Sequence, residues 1–118
     1  MEQTTNIIKG GGFLIEDVEI DRVITPEDFT DEQKMIAQTT QDYVQTEVLP
    51  VVENLEHHEF EHSVRLLKKA GELGLLAADV PEEYEGLGLD KISSALIAEK
   101  MSPAGGFSIT HGAPVGIG

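Results

Sequence analysis

The strongest constraint on this chain is one run, "TDEQKMIAQTTQDYVQTEVLPVVENLE", residues 30–56. Thr30 can cap a helix and Gln33 can reach back to it, the pattern of a capping box. Asp31 and Glu32 suit the positive end of the helix dipole. Turned at about 3.6 residues per turn, Ile36, Tyr43, Val44, Val48, Val51 and Leu55 share one face. Pro50 lies inside the pattern, where its ring opposes the carbonyl of Thr46. The run therefore predicts a long amphipathic helix, about Asp31 to Glu56, bent near Pro50. A helix with one apolar face must bury it against other elements.

Those partners follow in the sequence. A second helix is expected from about Glu61 to Leu73, with Val64, Leu67, Ala70 and Leu73 as its stripe. Gly74 is placed to end it in the left-handed conformation. A third is expected from Lys91 to Met101, capped by Asp90, with Ile92, Ala95, Leu96 and Met101 facing inward. Ser102 is a candidate cap for a fourth. The fold class is all-α, residues 30–118 forming the helical part. Residues 1–29 read as an acidic N-terminal arm. Gly10, Gly11 and Gly12 mark it as a flexible linker, and Val18, Ile20 and Ile24 alternate as a short extended segment.

Charge and composition exclude several functions. Eight Lys and Arg stand against 22 Asp and Glu, a net charge of −14. Nucleic-acid binding needs clustered cations, so it is not expected. No cysteine is present, which excludes disulfides and thiol catalysis. No signal or transit pattern and no span of about 20 apolar residues is visible, so a cytoplasmic protein without a membrane span is expected. His57, His58 and His62 lie near Glu59 and Glu61, but a His pair without a placed third ligand reads as a solvated helix junction, with no metal expected.

Between the second and third helices lies "PEEYEGLGLD", residues 81–90. Pro81 stops a helix, and Gly86 and Gly88 permit turns closed to other residues. The glycines lack the strand–loop–helix setting of a dinucleotide fingerprint, so they read as a structural turn. The chain closes on "GGFSITHGAPVGIG", glycine-rich yet carrying Phe107, Ile109, Val115 and Ile117. Such an end is expected of a piece of something longer, with those four side chains awaiting a cover.

Three segments in this order resemble the acyl-CoA dehydrogenase family: Glu32–Glu56, "LLKKAGELGLLAADVPEEYEGLGLD" at 66–90, and "FSITHGAPVGIG" at 107–118. The specific part is Pro-Glu-Glu-Tyr-x-Gly-Leu-Gly-Leu-Asp. The chain departs from the family at Glu85, where glycine is usual. The acidic N-terminal extension with its glycine run is more similar to the long-chain and very-long-chain branch.

The resemblance implies an N-terminal helical domain whose parent also has a β domain and a C-terminal helical bundle. It implies FAD-dependent oxidation of acyl-CoA to trans-2-enoyl-CoA in fatty-acid β-oxidation. Electrons would pass to electron-transferring flavoprotein, in a homo-oligomeric parent. The family's base lies in the bundle, and most flavin contacts come from the β domain and bundle. No catalytic and no cofactor-binding residue is therefore expected here, Glu99 included, and the piece alone should be inactive. Aligned on the final glycine, Thr110, Ala113 and Ile117 match positions that face the acyl tail. Their spacing of three and four puts them on one helical face. The alternative is a non-catalytic acidic helical module that binds a protein partner or an acyl chain.

Overall fold

A computed structural model describes residue 8 and residues 10–114. By its internal contacts the chain divides into two units, Met1–Thr30 and Asp31–Gly118. Among the described residues both are helical, with no strand.

Among its described residues the first unit holds three 3-10 turns, Gly12–Leu14, Ile20–Arg22 and Pro26–Asp28. A 3-10 turn at Ile20–Arg22 interrupts the extended segment expected around Val18, Ile20 and Ile24, while Glu19, Val23 and Thr25 keep extended backbone. An isolated strand would leave its backbone groups unpaired. The turns pair them locally: Val23 N–H donates to the Ile20 carbonyl and Asp28 N–H to that of Thr25. The Asp28 carboxylate accepts the Thr25 N–H at 2.9 Å, which fixes the last turn. Most of residues 1–9, including most of the expected flexible arm, lies outside the described residues.

In the second unit, α1 runs Asp31–Tyr43. A π-helical turn, Val44–Val48, and a 3-10 turn, Leu49–Val51, lead into α2, Val52–Glu56. The proline bend is thus absorbed a turn early. Pro50 supplies no N–H, and Leu49 N–H reaches back five residues to the Val44 carbonyl. Helix α3 covers Phe60–Glu72. Its end is a Schellman motif: Gly74, at φ +79°, donates to the Gly71 carbonyl, and Leu75 donates to that of Ala70.

The inward stripe of α3 differs from the sequence expectation. Leu66 and Ala70 are fully buried, whereas Val64 is 52% exposed. Leu66 and Ala70 sit one turn apart, and Val64 lies about 200° round from Leu66. Leu67 and Leu73 flank the buried row. Helix α4, Lys91–Met101, turns inward on Ser93, Leu96, Ile97 and Met101, and Ala95 is exposed.

The core gathers Tyr43, Val44, Val48, Leu66, Ala70, Leu75, Ala78, Ile97, Met101, Ala104 and Phe107. Tyr43 donates its hydroxyl to the buried Leu66 carbonyl at 2.7 Å, tying α1 to α3. Burial, with the Glu47 carboxylate second, pushes its phenol up to about 12.

Ser102 does not cap the fourth helix. It opens a 3-10 turn, Ser102–Ala104, and donates its hydroxyl back to the Glu99 carbonyl at 2.7 Å. The chain then reverses at Gly105 (φ +60°, ψ −133°), a conformation essentially reserved for glycine, and α5 covers Gly106–Gly112. Phe107 was expected at an uncovered surface, yet it is buried in the core, because the reversal at Gly105 turns α5 back onto α2 and α4. Ile109 on the opposite face is 73% exposed.

Candidate substrate-binding face

The segment "PEEYEGLGLD" spends its backbone on itself. Six consecutive N–H groups, Tyr84 to Leu89, donate to carbonyls of Ala77, Ala78, Val80, Pro81 and Glu82 at 2.7–3.2 Å. An added Cβ at Gly86 would sit 2.0 Å from the Val80 carbonyl oxygen, so only glycine fits. Glu85 stands at φ +64°, in the left-handed region that glycine enters freely. A phosphate cradle needs free N–H groups aimed at the ligand. Here they are consumed, and exposed Glu82, Glu83 and Glu85 would repel an anion. This loop does not fit the pyrophosphate of a flavin dinucleotide.

The loop's work is done by its last residue. Asp90 Oδ1 accepts the Ser93 N–H at 2.8 Å and caps α4. Its Oδ2 accepts the side-chain amide of Gln33 at 2.8 Å, which ties the start of α1 to the start of α4. The Ser93 bond is the first cause holding the Asp90 carboxyl below its ordinary range. Nearby, Asp79 accepts Lys91 Nζ at 2.7 Å, and that bond likewise lowers the Asp79 pKa.

Between α4 and α5 lies a half-open cleft of about 500 Å³. The Asp79–Lys91 pair stands at it, Ile97 and Met101 give it apolar surface, and Ser94, Ser108 and His111 add polar groups. His111 is 3% exposed, and its Nε2 lies 3.0 Å from the Leu75 carbonyl oxygen. A carbonyl only accepts, so Nε2 carries the proton. Burial lowers the His111 pKa, and the bond to Leu75 opposes that in part.

Two of the three positions matched to the acyl tail, Thr110 and Ala113, are exposed at the end of α5, and neither lines this cleft. Ile117 lies outside the described residues. An added Cβ at Gly112 would meet no atom within 4 Å. Glu99 is exposed on α4. His62 lies 3.3 Å from the Glu59 carboxylate, and His57 and His58 are exposed. Among the described residues no group of three or more His, Cys, Asp or Glu could hold a metal ion. None of their helices is long and apolar enough to cross a membrane.

Two contacts were not foreseen from the sequence. Gln33 reaches 57 residues along the chain to Asp90, and a polar pair that distant has no local signature. His111 carried a faint signal, an isolated imidazole in an apolar, glycine-rich stretch.

Comparisons with known proteins converge. The family model described as "Acyl-CoA dehydrogenase, N-terminal domain" matches residues 30–118. A "Probable acyl-CoA dehydrogenase" of Bacillus subtilis (strain 168) is 69% identical over 117 residues, covering 99% of this chain and 20% of that protein. The mouse "Short-chain specific acyl-CoA dehydrogenase, mitochondrial" is 39% identical over 71 residues, 60% of this chain and 17% of its own length. A crystal structure of an acyl-CoA dehydrogenase complexed with FAD from Bacillus anthracis superposes with a TM-score of 0.86 at 71% identity. That likeness covers 92% of this chain and 19% of the solved one. The chain thus spans about a fifth of the length of these two bacterial relatives. With its all-α architecture and its turn at residues 81–90, the chain belongs to the acyl-CoA dehydrogenase family and carries the fold of that family's N-terminal domain.

Proposed function

We infer that this chain is the N-terminal part of a FAD-dependent dehydrogenase that oxidises acyl-CoA to trans-2-enoyl-CoA in fatty-acid β-oxidation. Residues 30–118 act as helical scaffold and as one wall of the acyl pocket, with residues 1–29 as an arm ahead of them. One observation carries this reading: the fold is that of a solved FAD-bound acyl-CoA dehydrogenase, at 71% identity over almost the whole chain. Flavin and catalytic base are assigned to the rest of the parent. The loop at 81–90 supports that division, because its N–H groups are already bonded. Electron-transferring flavoprotein is the proposed electron acceptor, in a homo-oligomeric, cytoplasmic parent.

Within the chain, Thr110, Ala113 and Ile117 are proposed to face the acyl tail. Thr110 and Ala113 stand exposed, and Gly112 opens on empty space, so this end of α5 has room beside it. Each methylene admitted to an apolar pocket contributes roughly 0.8 kcal/mol of burial. A small floor then favours long acyl chains, the preference proposed for the parent.

Anaerobic titration of the full-length protein with a long-chain acyl-CoA tests the activity. Bleaching of the flavin absorbance with formation of the 2-enoyl product is expected. A full-length protein that binds no flavin, or whose flavin stays oxidised with acyl-CoA of every length, overturns the assignment.

A further inference from the structure

We propose that His111 is a positioning residue: through its Nε2–H bond to the Leu75 carbonyl it sets the rotation of α5, in a buried position that favours the neutral imidazole. The proposal rests on the reading that α5 forms part of the acyl pocket, and it adds a means of regulating that site.

Geometry carries it. Helix α5 has seven residues and no side-chain cap, so little within it fixes its orientation. It is held by Phe107 in the core and by His111, one turn further on. Both side chains point inward, and the positions between and beyond them, Ile109, Thr110 and Ala113, point outward. A helix of about 3.6 residues per turn couples the two faces rigidly. Rotating α5 to release His111 from Leu75 would move Thr110 and Ala113 with it.

Burial sets the condition, not the bond, because the Nε2–H is kept in the imidazolium. Neutral His111 donates from Nε2 and keeps a lone pair on Nδ1. Protonation adds a second N–H and a charge to a site only 3% exposed. That charge must be solvated, and the cleft beside α4 is the open route. The charged groups on that side are Asp79 and Lys91, which are paired with each other at 2.7 Å. From α2 the Glu56 carboxylate stands near Gly105 and Gly106, at the far end of α5. Acidification therefore favours states in which α5 has turned His111 toward the cleft and solvent. Burial holds the folded pKa below that of the unfolded chain. Folded stability is thus full above the unfolded value, and it is lost as pH falls toward the folded one.

The test uses the full-length holoenzyme and the ratio of kcat/KM for a long-chain to a short-chain acyl-CoA. The ratio cancels ionisations of base and flavin that both substrates share. It is measured from about pH 8 down to about pH 5, the range in which histidine titrates. His111→Gln keeps an N–H donor of similar reach and does not titrate. His111→Leu keeps the apolar bulk and removes the donor. The expected result is a wild-type ratio that falls about five- to tenfold on acidification, as a lost buried hydrogen bond would give. His111→Gln should hold the ratio nearly flat, and His111→Leu should be low at every pH.

A pH-independent wild-type ratio overturns the proposal. So does a fall of equal size in His111→Gln, which would assign the titration to another group. If His111→Leu fails to fold, the wild-type and Gln profiles still decide. Failure of the underlying reading shows separately, as an Ala113→Phe enzyme whose chain-length ratio equals the wild type's at every pH.

Discussion

Replacing Asp90 with alanine should destabilise the helical unit by about 2 kcal/mol, and the structure divides that figure in two. Loss of the Ser93 cap costs about 0.5–2 kcal/mol. Loss of the acceptor for the Gln33 amide adds about 1 kcal/mol, the net worth of a typical hydrogen bond. Asp90→Asn separates the two parts. Its one oxygen can still cap Ser93, but its amide group then meets the amide group of Gln33. Gln33 must turn its own oxygen toward it, so the cost should be about 0.5–1 kcal/mol. Urea unfolding of the 118-residue chain, followed by far-UV circular dichroism, gives the values. A cycle with Gln33→Ala should return a coupling near 1 kcal/mol. The carboxyl is held below its ordinary range by the Ser93 bond first. Its folded pKa is thus below the unfolded one. The extra stability is present above the unfolded value and disappears as pH falls through the folded one. If Asn is as damaging as Ala, or if the coupling is zero, the division is wrong and the carboxylate has another role.

Glu85→Gly should stabilise the same unit by about 0.5–1 kcal/mol, since it relieves a left-handed backbone at some entropic cost. Glu85→Ala should not, and equal gains from both would point to charge repulsion among the loop glutamates instead. Gly86→Ala should cost about 2 kcal/mol or more, because its Cβ would strike the Val80 carbonyl; a loss under about 0.5 kcal/mol would show that the loop yields. Leu66→Ala should cost about 2–5 kcal/mol, against about 0.5 kcal/mol or less for Val64→Ala. A larger loss at Val64 than at Leu66 would restore the stripe expected from the sequence.

How much of this was legible beforehand follows from the range of each interaction. Local chemistry was. The Asp90 cap, the left-handed Gly74 and the ends of α3 and α4 depend on residues a few positions apart, and they were placed to within one residue. The usual glycine at position 85 also acquires a reason, since Glu85 stands at φ +64°. Which face of a helix points inward was harder to read. Val64 and Ala95 are apolar and in phase, yet both are exposed, while Leu66 and Ile97 join Tyr43 and Phe107 in the core. Ser102 has a capping side chain, yet the turn at Gly105 sends α5 off in a new direction, and no propensity of serine encodes that. At the candidate site, the face of α5 was proposed through resemblance alone. His111 and its bond to Leu75 depend on a contact 36 residues apart and were not.

The central claim is that α5 walls the acyl pocket while the flavin is held elsewhere in the parent. Ala113→Phe in the full-length enzyme tests it most directly, with flavin content and kcat/KM for long- and short-chain acyl-CoA measured on one preparation. The account predicts unchanged flavin, a kcat/KM for the long chain lowered by about tenfold or more, and a short-chain value close to wild type. Lost flavin, equal losses for both substrates, or no change for either would contradict it.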